Sequence, residues 1–201
     1  MQSAFCCPPY KSNPLHWIAL VMVIILGSSL SRSASAAPSD NAVVASPCGE
    51  AEFGAALNAV QTSGGGSITF ACGTATIPFT TFKSISSNVV IDGAGAITLD
   101  GQQATRFFKV LGGGSLTLKG LVLTGGFSGA DYGGALYVNP GGTLILKQST
   151  IYGAATNGWA GGAIIDFQGA VTLIDSVVEG SQSTYGAINS TGTLTLIRSI
   201  V

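Results

Sequence analysis

An apolar–x–apolar triplet returns along the chain. It reads Ile68-Thr69-Phe70, Val89-Val90-Ile91, Leu116-Thr117-Leu118, Leu144-Ile145-Leu146, Val171-Thr172-Leu173 and Leu194-Thr195-Leu196. Successive triplets start 21, 27, 28, 27 and 23 residues apart. A period of this length is the signature of a solenoid. The alternation inside each triplet makes the repeating element a half-buried strand. A second column follows the first by five to seven residues: Leu121-Val-Leu123, Ser149-Thr-Ile151, Ser176-Val-Val178 and Ser199-Ile-Val201. A third comprises Phe107-Phe-Lys-Val110, Ala135-Leu-Tyr-Val138, Ala163-Ile-Ile-Asp166 and Ala187-Ile-Asn189, with starts 28, 28 and 24 residues apart. Three short strands per coil predict a parallel β-helix in which alternate residues point inward. Leu116 and Leu118 should stack on Leu144 and Leu146. At about 4.8 Å per rung, six rungs make a rod of about 29 Å.

One stretch has a different period. Phe53, Leu57 and Val60 fall at i, i+4 and i+7, the spacing of a single helical face. Ser46-Pro47 suits a helix entry, and Gly64-Gly65-Gly66 stops it. A solenoid must cover the open apolar end of its stack. An amphipathic helix just before the first coil is a natural cap. Glycines punctuate the remainder: Gly112-Gly114, Gly141-Gly142 and Gly192 precede first-column strands, and Gly133-Gly134, Gly161-Gly162 and Gly186 precede third-column strands. Corners of a β-helix need positive φ, which glycine supplies.

The N-terminus has no such pattern. Ile18 to Leu26 is continuously apolar, Lys11 lies upstream, and Ala34-Ser35-Ala36 has small residues at cleavage-site positions. This predicts a secretory signal peptide, hence a secreted or cell-surface product. The expected organisation is residues 1–36 as signal peptide, 37–47 as a short leader, 48–66 as the capping helix and 67–201 as the β-helix. Processing removes His16 and two of the four cysteines. Six basic residues then face nine acidic ones, a net charge of −3. That balance lacks the basic patch nucleic acid requires. Cys48 and Cys72 remain, and in a secreted chain they are expected to pair. The bridge would staple the helix to the first coil.

Gly133-Gly-Ala-Leu136, Gly161-Gly-Ala-Ile164 and Tyr185-Gly-Ala-Ile188 look like the Gly-Gly-Ala-Ile motif of polymorphic outer membrane protein repeats. The second motif of those repeats, Phe-x-x-Asn, is absent. The capping helix, the Gly-rich turn and Ile91-Asp92-Gly93…Leu99-Asp100-Gly101 are similar to the N-terminal coils of secreted bacterial β-helix proteins. From Cys48 to Val201 the chain resembles the pectin-lyase-like superfamily. That resemblance implies a right-handed parallel β-helix. It implies functions that range from surface adhesins and passenger domains to polysaccharide lyases and hydrolases, a range the fold does not narrow.

Candidate chemistry is sparse. Beyond residue 36 there is no histidine, so Ser-His-Asp and Cys-His arrangements are excluded. The Asp-Asp, Gly-His-Gly and Arg-Ile-Lys motifs of polygalacturonases are absent. A lyase of the pectate type would need calcium held by several carboxylates and an arginine base. Asp92, Asp100 and Arg106 are the nearest approach to that set, although Asp-Gly pairs are first of all turn formers. Column alignment also makes Asp92–Lys119 and Asp175–Arg198 neighbours on adjacent rungs, which suits surface ion pairs worth under about 1 kcal/mol. No cofactor is otherwise implied. Binding fits the residues better. Tyr132, Trp159 and Tyr185 precede third-column strands on three successive rungs, with Asp131 beside the first. Turn-borne aromatics on a rigid rod can stack on sugar rings or anchor a cell-surface partner. The expected function is therefore a non-catalytic, adhesin-like scaffold for an extracellular glycan or partner, with a polysaccharide lyase or its remnant as the alternative. The last triplet is followed only by Ile197-Arg-Ser-Ile-Val201. The pattern thus predicts the N-terminal part of a longer rod, with an uncapped C-terminal coil open to end-to-end self-association.

Overall fold

The structure, a computed structural model, describes residues 41–157 and 160–201. The predicted signal peptide and residues 37–40 of the leader lie outside the described residues. Alternating apolar residues build a parallel β-solenoid of about six turns, as the triplets predict. The first column consists of β1 (Asn41–Val44), β2 (Gly65–Phe70), the leading parts of β5 (Asn88–Asp100) and β7 (Ser115–Thr124), then β9 (Thr143–Lys147), β12 (Ala170–Ile174) and β15 (Thr193–Ile197). The second contains β3 (Ala75–Pro78), the trailing parts of β5 and β7, β10 (Thr150–Tyr152) and β13 (Val177–Glu179). Because β5 and β7 run on around the corner, these two columns form one ten-stranded sheet. The third column is a separate five-stranded sheet of β4 (Lys83–Ile85), β6 (Phe108–Val110), β8 (Leu136–Val138), β11 (Ile164–Asp166) and β14 (Ile188–Ser190).

Register follows the predicted stacking from the second triplet onward. Val89, Leu116, Leu144, Val171 and Leu194 are successive partners. The inward pairs Leu116/Leu118, Leu144/Leu146 and Val171/Leu173 are fully buried. The first triplet is offset: Ile68 pairs with Ile91, two residues beyond Val89. A slip of two preserves which face is inward, so burial cannot distinguish the two registers. Asn41–Val44, within the stretch read as leader, adds a further rung by pairing with β2. Four residues between Asp92 and Ile97 stand opposite Gly120 alone, forming a bulge at the first corner.

Helix α1 (Glu50–Thr62) buries Phe53, Ala56, Leu57 and Val60. Phe53 sits at the centre of a ring cluster. Its centroid lies 5.4 Å from Phe79, 6.0 Å from Phe108 and 6.3 Å from Phe70, while Phe79 is 5.5 Å from Phe107. The cap is pinned in two further ways. Cys48 and Cys72 form the predicted disulfide, with Cα atoms 6.0 Å apart. At the start of α1, Glu50 accepts from the Lys83 ammonium at 2.6 Å and from the backbone and hydroxyl groups of Thr80 and Thr81 at 2.6–3.1 Å.

Burial alone would raise the Glu50 pKa, but Lys83 and the two threonines outweigh it and lower it from 4.5 to about 2. A depressed carboxyl pKa contributes stability that is complete above the unfolded value and is lost as pH falls toward the folded one. Glu50→Gln should therefore cost about 2 kcal/mol at pH 7. The gap in melting temperature between wild type and variant should close between pH 4.5 and about 2. A gap unchanged by acid would show that the carboxylate does not hold the cap.

The corner between the first and second columns departs from the expected glycine rule. On the last four coils its positive-φ residues are Gly120, Gln148, Asp175 and Arg198, at φ of 57°, 50°, 49° and 47°. A serine after Gln148, Asp175 and Arg198 offsets the left-handed conformation with hydrogen bonds. Ser149, Ser176 and Ser199 each donate to the carbonyl two residues earlier, at 2.8–2.9 Å. Each also accepts the amide of the preceding rung at 3.2 Å. Glycine does serve the corner before the third column, where Gly133 and Gly161 have φ of 67° and 68°. On the last coil, Leu194, Leu196, Ile197 and Ile200 are exposed.

Candidate functional site

The lyase candidates do not converge. Asp92 ends the first-column part of β5, pairs with Lys119 Nζ at 2.7 Å and accepts the Ala94 amide at 2.9 Å. The Lys119 hydrogen bond outweighs burial and lowers its pKa. Asp100 ends the second-column part and accepts the Gln102 amide at 2.8 Å. Arg106 precedes β6 and is paired with Asp131. Each residue of the set thus has a different partner. Asp175 and Arg198 form the predicted ion pair, with two hydrogen bonds of 2.5 and 2.7 Å. Among the described residues, no three His, Cys, Asp or Glu side chains lie together as a metal cluster. Two open hollows of about 380 and 320 Å³ flank the bulge at Gly93–Ala96. They share Asp92 and Ala94 and include none of the aromatic candidates.

The aromatic candidates lie on the third column. Tyr185 bridges Ala160, whose carbonyl accepts the Gly133 amide. Tyr132 and Tyr185 are therefore separated by about two rungs, or about 10 Å. Trp159 lies outside the described residues. Tyr185 is 57% exposed. Tyr132 is half-buried and meets the Phe167 ring edge-on at 5.5 Å. Asp131 does not stand free beside it. Its carboxylate accepts from Arg106 at 2.5 Å and from the Tyr132 amide at 2.9 Å. Burial pushes the Asp131 pKa up, but the Tyr132 amide and the Arg106 guanidinium together take it below its ordinary value.

Around this pair the structure assembles residues absent from the predicted set. Arg106 is only 7% exposed, and its guanidinium lies 5.2 Å from the Tyr137 ring and 5.9 Å from that of Phe82. The Lys109 ammonium sits 4.6 Å from Tyr137. Phe167 packs against Tyr137 at 5.5 Å. Phe82 is 49% exposed. Burial, followed by the Asp131 charge, raises the Tyr137 pKa. Lys109 and Tyr137 were legible as outward positions, being the middle residues of Phe108-Lys-Val110 and Leu136-Tyr-Val138 in matched register. Their meeting with Phe82 and Phe167 depends on turns that have no repeat.

Phe167 owes its position to a polar residue inside the core. Asp166 occupies the inward place held by Val138 one rung before, and it is fully buried. Its carboxylate accepts the Gly169 amide at 2.7 Å and the Ser190 hydroxyl at 2.6 Å. These bonds satisfy the buried group and fix the turn that bears Phe167. The whole cluster offers stacking faces, a braced guanidinium and an ammonium, which is equipment for binding.

Fold and site define a parallel β-solenoid with an aromatic–cationic strip along one column. No protein family, curated protein or solved structure matches the chain.

Proposed function

We propose that this chain is a secreted or cell-surface β-solenoid scaffold, adhesin-like and non-catalytic, that binds glycan through the third-column strip. The observation behind this reading is the exposure of Phe82 and Tyr185 on the column that also holds Tyr132, Tyr137 and Phe167. Exposed aromatic rings on a rigid column give stacking platforms at low entropic cost. The disulfide suits an oxidising, extracytoplasmic setting. The resemblance to polymorphic outer membrane repeats and to pectin-lyase-like coils is compatible with a surface role. The lyase alternative has less support, because Asp92, Asp100 and Arg106 are engaged by separate partners.

Glycan-array screening followed by calorimetry tests the proposal. The purified protein should bind at least one oligosaccharide class. Tyr185→Ala should weaken that binding by about tenfold, the effect of removing one aromatic contact, and leave the melting temperature unchanged because the ring is exposed. Absence of binding across the array, or binding indifferent to Tyr185→Ala, overturns the reading. Calcium-dependent cleavage of polygalacturonate that disappears with Arg106→Ala would establish the lyase instead.

A further inference from the structure

Four cations of the described chain have carboxylate partners: Lys83 with Glu50, Arg106 with Asp131, Lys119 with Asp92 and Arg198 with Asp175. Lys109 and Lys147 make no ion pair among the described residues. Lys147 lies at the exposed end of β9, on the other sheet. Lys109 is different, because it stands inside the aromatic strip. The Tyr137 ring lies 4.6 Å from its ammonium, and such a ring attracts and orients a cation while leaving its three donors unused. Next to it in register on β4 is Ser84, an outward, exposed hydroxyl. Two residues before Ser84 is the exposed Phe82 ring. One rung pair therefore presents a flat ring, a hydroxyl and an ammonium that makes no ion pair among the described residues. The charge of this patch is also distinctive. Arg106 and Lys109 face Asp131, a local balance of +1, whereas the chain beyond residue 36 totals −3.

We propose that the glycan is anionic: a pyranose stacks on Phe82 while its carboxylate or sulfate is met by Lys109. This rests on the glycan-binding reading and adds the ligand's charge and the residue that selects it. A charge-assisted hydrogen bond to an ammonium is about twice as strong as a neutral one. An ammonium held beside a ring loses less freedom on binding than one on a free stem. Buried Arg106, already spent on Asp131, holds the patch together and does not supply the contact.

Calorimetry with three probes of equal length decides the matter: a neutral glucose tetrasaccharide, the corresponding tetraglucuronate and a sulfated tetrasaccharide. One or both anionic probes should bind at least tenfold more tightly than the neutral one, and the advantage should shrink at high salt. Comparison of the two anionic arms identifies carboxylate or sulfate as the recognised group. Lys109→Gln should remove the advantage of the anionic probes over the neutral one. Lys147→Gln, which lowers net charge equally on another sheet, should leave the advantage in place. Equal affinity for neutral and anionic probes overturns this inference and leaves glycan binding standing. An anionic preference that survives Lys109→Gln, or falls equally with Lys147→Gln, also overturns it. Binding of no probe, together with a blank array, removes both readings.

Discussion

Phe53→Ala should destabilise the protein by about 3–5 kcal/mol, the range for truncating a fully buried phenylalanine. The ring is completely buried and meets three others, Phe79, Phe108 and Phe70 at 5.4, 6.0 and 6.3 Å, while Phe107 joins the cluster through Phe79. These rings come from α1, the ends of β2 and β3 and the third column. The midpoint of urea unfolding should fall accordingly. Thermal unfolding should shift by roughly 10 °C, given about 2–4 °C per kcal/mol for a chain of this size. Phe53→Leu should recover more than half of the loss. A cost under about 1 kcal/mol would mean that α1 merely lies against the solenoid and does not close it.

That the helix would act as a cap was legible, and so was most of the stack. Both follow from periodicity. A strand buried on one face must alternate, a helix must repeat at three and four, and neither pattern survives by accident over so many turns. Charge neighbours came with the columns: once Val89 lies on Leu116 and Val171 on Leu194, Asp92–Lys119 and Asp175–Arg198 follow by counting. What periodicity left open is where burial is blind. The register of Ile68 against Ile91 differs from the expected one by two residues, which buries the same face. Glycine marks the corner before the third column, yet serines with backbone hydrogen bonds allow Gln148, Asp175 and Arg198 to turn the corner after the first. The Asp166 carboxylate breaks the inward apolar rule, and only the partners Gly169 and Ser190 explain it.

The candidate site divides along the same line. Its backbone placement was legible, since Tyr132 and Tyr185 each precede a third-column strand. Its side-chain composition was not. Asp131 is expected beside the first of an aromatic row, and the structure adds that it braces Arg106. The residues that surround it, Phe82, Lys109, Tyr137 and Phe167, are far apart in sequence and come together through cation–π and edge contacts. Such contacts have no sequence period. Outward positions on a solenoid column are read most usefully as rows along the axis, where Ser84, Lys109 and Tyr137 become consecutive neighbours.

Breaking the Cys48–Cys72 bridge should cost about 3 kcal/mol, by reduction or as Cys48→Ser with Cys72→Ser. The bridge spans a sequence separation of 24, and closing a loop of that size removes about this much freedom from the unfolded chain. The loop contains α1 and β2, so it ties the cap to the rung it covers. The reason for the loss differs from that for Phe53. Phe53 acts through packing in the folded state, whereas the bridge acts chiefly on the unfolded one. The folded protein without the bridge should therefore keep its aromatic circular dichroism and its strip, and only its unfolding midpoint should move. Combining Phe53→Ala with loss of the bridge discriminates the two origins. Independent effects should add within about 0.5 kcal/mol. A combined cost well above the sum would show that packing and bridge each hold α1 in place when the other is gone, making the bridge part of the native cap rather than a restraint on the unfolded chain.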